Sequence, residues 1–226
     1  MVDAIYNPLS TKLVLDAKAK GIKAVGGLRM LVEQAKCARD IFLGDTAPFD
    51  TADAIYKMLK DKIQNIVLIG MPSTGKTTIG KALAERRRLP FIDTDEEIVK
   101  MAKMTIPEIF EKHGEPHFRQ IESQVVHEVG KKSGHIIACG GGAILTEGAH
   151  TALAQNGVIV HLFQNPERTD LTGRPLLKNI EDVKKLHKER MPIYKKFANI
   201  EIATDSGNIE QILEELEEKL NEHTCD

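Results

Sequence analysis

Cysteine is scarce in this 226-residue chain: Cys37, Cys139 and Cys225 stand far apart. An odd, scattered set has neither the spacing of a metal site nor the makings of a disulfide framework. Reduced thiols in a cytosolic protein are therefore expected. A basic-then-apolar leader is missing, and so is any apolar run long enough to span a bilayer. The expectation is a cytoplasmic protein with no membrane partner. Charge of one sign is also lacking, since 31 Lys and Arg against 33 Asp and Glu leave a formal net charge of -2. That balance carries no electrostatic footprint for nucleic acid. The basic run in Glu85-Arg86-Arg87-Arg88 is short and stands at a helix end, where cations complement the dipole. Internal repeats and low-complexity segments are absent too. What is present is ordinary globular composition, with length for one ample domain or two small ones.

One stretch stands out. Gly70-Met71-Pro72-Ser73-Thr74-Gly75-Lys76-Thr77 fits the phosphate-loop pattern G-x-x-x-x-G-K-S/T. Ahead of it, Asn65-Ile66-Val67-Leu68-Ile69 reads as a strand buried on both faces, and behind it Thr78 to Glu85 opens a helix. Glycines let the backbone wrap a phosphate, and the N–H groups of Ser73 to Thr78 point positive dipole at it. Lys76 is placed to reach the β/γ-phosphates and Thr77 to offer its hydroxyl to Mg²⁺. A nucleoside triphosphate, with ATP the natural choice, is the expected ligand.

Residues 1–62 read as a separate block from residues 63–226. Asp3 to Asn7 reads as a strand stopped by Pro8. Ser10 or Thr11 caps a helix ending near Gly21, Ile22 to Val25 forms a second strand, and a helix runs from Leu28 to Gly44. This small βαβα fragment leaves strand edges uncovered. Asp45 to Asp50 is the break, and a short helix from Thr51 to Lys62 leads onward. From Ile66 strands and helices alternate: strands at 89–92, 136–139, 158–162 and 200–203, and helices at 96–102, 106–112, 116–131, from Thr146, at 181–194 and at the C-terminus. That order predicts five parallel strands with helices on both faces.

Further positions carry chemistry, each with a plainer explanation beside it. Asp93 and Asp95, at a strand end next to the phosphate loop, suit Mg²⁺ and a phosphate acceptor, or simply a helix cap ahead of Glu96 and Glu97. Arg119 and Glu122 stand three apart on a helix, the spacing of a solvated intrahelical pair. Gly140-Gly141-Gly142 directly follows a buried strand. It suits a ligand approaching the main chain, or close helix–sheet packing. Arg174 in a polar excursion and Arg190 on a helix before Pro192 suggest clamps for a phosphate and an anionic acceptor.

Taken together and in this order, these motifs resemble shikimate kinase: the phosphate loop, Asp-x-Asp, Phe-Arg-x-x-Glu, Gly-Gly-Gly, Arg-Pro-Leu and Glu-Arg-x-Pro-x-Tyr, over residues of about 64 to 222. The resemblance implies the nucleoside-monophosphate-kinase type of P-loop NTPase fold. It also implies Mg²⁺-dependent transfer of the ATP γ-phosphoryl to the 3-hydroxyl of shikimate, in aromatic amino acid biosynthesis. It would place shikimate against Asp95, Arg119, Gly140 to Gly142 and Arg190, with Glu122 orienting Arg119. Arg174 would reach the transferring phosphate from a lid, and Thr77 and Asp93 would position Mg²⁺. Lys76, Asp95 and Arg174 would be the catalytic set. The stretch 164–173 is shorter than in many members, and Arg168 is its candidate for stacking on adenine.

The string "DAIYNPLSTKLVLDAKAKGIKAVGGLRMLVEQA" resembles instead the C-terminal end of shikimate dehydrogenase, over residues of about 1 to 44. That family's substrate-touching glutamine falls on Gln34. Its catalytic Lys and Asp and its NADP-binding loop lie further upstream, so no dehydrogenase activity is expected. The block is a candidate docking surface, and the kinase part is expected to be monomeric. Two alternatives stay open: a phosphate-loop kinase for another hydroxylated metabolite, such as gluconate or a nucleoside, and a nucleotide-binding regulatory module.

Overall fold

The computed structural model describes residues 1–48, 50–165, 167 and 180–224. Three helices come first: α1 (Lys12–Ala19), α2 (Leu28–Leu43) and α3 (Thr51–Ile63). From there the chain alternates through β1 (Asn65–Ile69), α4 (Lys76–Arg87), β2 (Phe91–Asp93), α5 (Thr94–Ala102), α6 (Ile106–Gly130), β3 (Ile136–Ala138), a 3-10 turn (Ala143–Leu145), α7 (Ala149–Ala154), β4 (Gly157–Phe163), α8 (Ile180–Phe197), β5 (Ile200–Ala203) and α9 (Ile209–Thr224).

The five strands form one parallel sheet in the order β2-β3-β1-β4-β5. Every residue of β1 is buried, as its unbroken β-branched run requires for a central strand covered on both sides. Alternate residues divide the core into two layers. Ile66 and Leu68 pack with Leu83 of α4 and Leu216 of α9 on one face. Val67 and Ile69 pack with Val125 of α6, Leu153 of α7 and Tyr194 of α8 on the other. The expected five-stranded P-loop architecture is present.

Several boundaries differ from the sequence expectation, for local reasons. Strand β2 begins at Phe91, not Leu89. The Leu89 N–H closes the end of α4 on Ala84 O at 3.0 Å, and Pro90 has no N–H to give a ladder. The helices expected at 106–112 and 116–131 do form: α6 is two helices joined across a break at Gly114, whose φ of 76° and ψ of 175° lie outside helical space. The helix expected from Thr146 starts only at Ala149, because Ala143 and Ile144 turn inward and are buried.

In the first block the helices form as expected, with Thr11 capping α1 through Val14 N–H. The two strands do not. They run parallel, joined at the Val2–Val25 bridge and by Asp3 N–H to Val25 O at 3.0 Å, Val25 N–H to Met1 O at 3.1 Å and Gly27 N–H to Ile5 O at 2.8 Å, but do not lengthen into a regular strand pair. Two parallel strands without a third lack the neighbours that stabilise a sheet. Apolar side chains accordingly remain in solvent, Val2 at 74% and Phe42 at 87% exposure among them.

Candidate active site

Register brings three loops to one edge of the sheet. Leu68, Ala138 and Asp93 are level with one another across β1, β3 and β2. Two residues further along each chain stand Gly70, Gly140 and Asp95. Phosphate loop, glycine turn and acidic dipeptide therefore leave the carboxyl ends of adjacent parallel strands. This is also where the chain order reverses about β1, the place where open α/β sheets bind ligands.

The phosphate loop is held from within. Gly70 and Gly75 adopt φ of 146° and 82°, and a Cβ on Gly70 would collide with Leu162 O. Even Ser73 takes a positive φ of 67°. The buried Thr74 hydroxyl donates to Met71 O at 2.9 Å. Lys76 Nζ lies back across the loop, 3.0 Å from Gly70 O and 2.8 Å from Met71 O. Thr77 and Thr78 are exposed in the first turn of α4, whose N-terminus points along the loop. The Thr77 hydroxyl donates to Asp93 Oδ2 at 2.8 Å, while Asp93 Oδ1 accepts from Asp95 N–H at 2.9 Å. Asp93 thus caps α5 with one oxygen, as the plainer explanation has it, and meets Thr77 with the other. No group of three His, Cys, Asp or Glu forms a metal cage among the described residues. Mg²⁺ at a phosphate site needs only one or two protein oxygens besides phosphate and water, and Thr77 with Asp93 suits that requirement.

The acceptor side is assembled around the glycine turn. A Cβ on Gly140 would lie 2.5 Å from Asp95 Oδ1 and 3.5 Å from Glu122 Oε1. A Cβ on Gly141 would lie 3.2 Å from Pro72 of the phosphate loop and 3.5 Å from Arg190 Nη1, and one on Gly142 would strike the Arg119 guanidinium. Gly140 and Gly142 leave room for the charged side chains of Asp95 and Arg119 against their backbone, and Gly141 for Pro72. Arg119 Nη1 donates to Glu122 Oε2 at 2.6 Å and Nη2 to Glu115 Oε1 at 3.0 Å. Burial pushes the Glu122 carboxyl up, and the neighbouring Arg119 charge only partly opposes this. Burial works against the Arg119 charge, but its two carboxylates hold the guanidinium above its ordinary value. Arg190 is buried and donates from Nη1 to Gly141 O at 3.0 Å.

Asp95, Arg119, Glu122, Arg190 and Gly140 to Gly142 are thus brought together, within reach of the phosphate loop. Arg119, Gly142 and Arg190 line a cavity of about 520 Å³, with Glu115 at its wall. Arg168 and Arg174 lie outside the described residues. Three further side chains contribute, of which Tyr194 is the tyrosine of the Glu-Arg-x-Pro-x-Tyr motif. Thr94 is buried, and its hydroxyl accepts from Gly140 N–H at 2.8 Å. The Tyr194 hydroxyl, with its pKa raised by burial, donates to Gly141 O at 2.5 Å. Glu115 pairs with Arg119. Its i, i+4 spacing from Arg119 is a signal present in the sequence.

Comparisons with known proteins bear on the family and the fold. A family profile described as "Shikimate kinase" matches residues 72–221. The chain is 41% identical over 163 residues to the shikimate kinase of Caldanaerobacter subterraneus subsp. tengcongensis, covering 68% of this chain and 94% of that protein. It is 42% identical over 151 residues to that of Caldicellulosiruptor saccharolyticus, covering 63% and 87%. A solved shikimate kinase from Acinetobacter baumannii in complex with shikimate superposes with a TM-score of 0.70 at 31% identity, over 75% of this chain and 99% of that one. The enzyme from Aquifex aeolicus gives 0.62 at 34%, over 70% and 96%. On these matches and this fold, the chain belongs to the shikimate kinase family.

Proposed function

We propose that the protein phosphorylates the 3-hydroxyl of shikimate with ATP, giving shikimate 3-phosphate, as a cytoplasmic enzyme of aromatic amino acid biosynthesis. The observation that carries this reading is the convergence of Arg119 and Arg190 on the glycine turn beside Asp95, with Pro72 of the phosphate loop in contact. Two arginines in one cup suit a carboxylate-bearing acceptor, and a neutral sugar or nucleoside has no use for both. The carboxylate pairs with Arg119 and Arg190, which leaves ring hydroxyls for Asp95 and the glycine backbone. Asp95 accepts the hydrogen bond of the attacking hydroxyl and takes its proton.

On the nucleotide side, N–H groups of Ser73, Thr74, Gly75, Lys76, Thr77 and Thr78 cradle the phosphates. Lys76 exchanges its loop carbonyls for β/γ oxygens. Thr77, with Asp93 beside it, would hold Mg²⁺, which would neutralise phosphate charge. Phosphoryl transfer passes through a loose transition state, so positioning and charge neutralisation carry most of the catalysis. Arg174 is assigned to the transferring phosphate on the strength of the family resemblance. Residues 1–62 are assigned as a dehydrogenase-like tail and a docking surface, attached to a monomeric kinase domain at 63–226.

A coupled ADP-release assay tests the reading with the parent protein, Arg119→Ala and Asp95→Asn. The parent is expected to turn over only with shikimate present. Each variant is expected to lose on the order of 10²–10³ in kcat/KM, the scale of one lost transition-state contact. A parent that shikimate does not stimulate overturns the assignment.

A further inference from the structure

We propose that Glu115 is a built-in competitor for Arg119, occupying the guanidinium face that the acceptor carboxylate takes and yielding it when the acceptor binds. The inference rests on the shikimate reading above and adds a residue that sets affinity for the acceptor.

The two carboxylates on Arg119 are unlike. Glu122 is 2% exposed and receives Nη1 at 2.6 Å, so it fixes the guanidinium against Gly142. Glu115 is at the cavity wall with its side chain 50% exposed, and it receives Nη2 at 3.0 Å. Orientation of Arg119 is therefore already secured without Glu115. What Glu115 does is fill the outward face. That is the face a carboxylate entering the cavity meets, because the inward face is shut by Glu122 and the glycine turn.

Charge makes the competition matter. With Glu122 and Glu115 both engaged, Arg119 is over-neutralised, and Glu189 adds a further acidic group to the same cavity. Arg190 is buried and gives Nη1 to the Gly141 carbonyl, with no ion pair to an acid among the described residues, so its charge is the less neutralised of the two. An acceptor carboxylate that pairs with Arg190 gains Arg119 as well only as Glu115 swings away.

The local backbone permits that swing. Glu115 directly follows the break at Gly114, and its carboxylate makes no ion pair except with Arg119 among the described residues. An exposed i, i+4 ion pair is weak enough to be displaced at a cost of about two- to fivefold in affinity.

Steady-state kinetics with shikimate and ATP test this in the full chain, comparing the parent with Glu115→Gln and Glu115→Ala. The expected result is a KM for shikimate lowered about two- to fivefold in both variants, with KM for ATP unmoved and matched urea midpoints. The methyl ester of shikimate is the second arm: lacking the carboxylate, it should show no such gain. A shikimate KM that stays put or rises overturns the inference while leaving the proposed function standing. An equal gain with the ester also overturns it, since Glu115 would then act through bulk or helix stability. A parent without shikimate-dependent turnover removes both.

Discussion

His161 is a residue whose chemistry is set entirely by where β4 puts it. Its side chain is fully buried, stacked on Tyr194 with ring centroids 5.1 Å apart, and its Nδ1 lies 3.0 Å from Glu201 Oε1. Desolvation lowers its pKa below 6.5, the Glu201 carboxylate opposing this only in part, and Lys195 and Lys76 push the same way as burial. His150 and His187 are lowered too, chiefly by desolvation. For a base with a depressed folded-state pKa, the unfolded chain takes up protons first as the pH falls. The stability contribution is therefore complete above about pH 6.5 and is lost as the pH drops below it. Thermal melts at pH 7.5 and 5.5 should show the parent losing stability on acidification. His161→Phe keeps the ring stack and removes both the titration and a buried Nε2 that has no hydrogen-bond partner among the described residues. That variant should recover at most about 1 kcal/mol of the loss, since one proton over one pH unit is worth about 1.4 kcal/mol. Identical pH slopes in the two proteins would show that His161 carries none of the loss.

Helix α6 carries Glu115, Arg119 and Glu122, and its shape depends on one position. Thr105 and Glu108 cap it reciprocally, with Thr105 N–H to Glu108 Oε2 at 2.8 Å, so its start is fixed. The break at Gly114 then sets the direction of the second half. A Cβ there would meet nothing nearer than Pro116 Cδ at 3.7 Å, so space is not the constraint. Conformation is: φ of 76° with ψ of 175° belongs to a region that only glycine occupies readily. Gly114→Ala should lower the urea midpoint by the equivalent of about 1–3 kcal/mol. It should also raise KM for shikimate while sparing KM for ATP, because Arg119 turns with its half of the helix. The break itself was legible, since Gly114 and Pro116 separate two apolar periodicities. Strand β1 and the phosphate loop were legible for a similar reason, all their determinants lying within a dozen consecutive residues. Other features depend on tertiary partners and were not. The inward turn at Ala143 and Ile144 arises from a core that other elements build. Thr94 reaches Gly140 only because β2 pairs with β3, and Tyr194 reaches Gly141 only because α8 packs back over the sheet.

At the scale of the whole molecule, the first block and the site stand on opposite edges of the sheet. The block docks through Leu9 N–H to Asn156 Oδ1 at 3.0 Å and Ser10 N–H to Gln155 O at 2.8 Å, residues just ahead of β4. Helix α3 is tied at its end by Gly134 N–H to Ile63 O at 2.8 Å, just ahead of β3. Strand β1 carries the chain about 16 Å from that edge to the phosphate loop, at roughly 3.3 Å per residue. Within the block, Arg29 joins α2 to α3 through Asp53 and lies 5.7 Å over the Tyr56 ring, so the two helices hold each other. Deleting residues 1–62 should therefore leave both KM values unchanged, since no residue of the cup is touched. It should cost the kinase fold only about 1–3 kcal/mol, the net worth of a few interfacial hydrogen bonds. The deletion also removes exposed apolar side chains such as Val2, Ile41 and Phe42, so it should be the more soluble protein. Kinetics, urea denaturation and sedimentation of the two proteins measure all three effects. A shikimate KM that rises on deletion would mean that the block acts on the site through β1 and β4, and its assignment as a separate docking surface would fail.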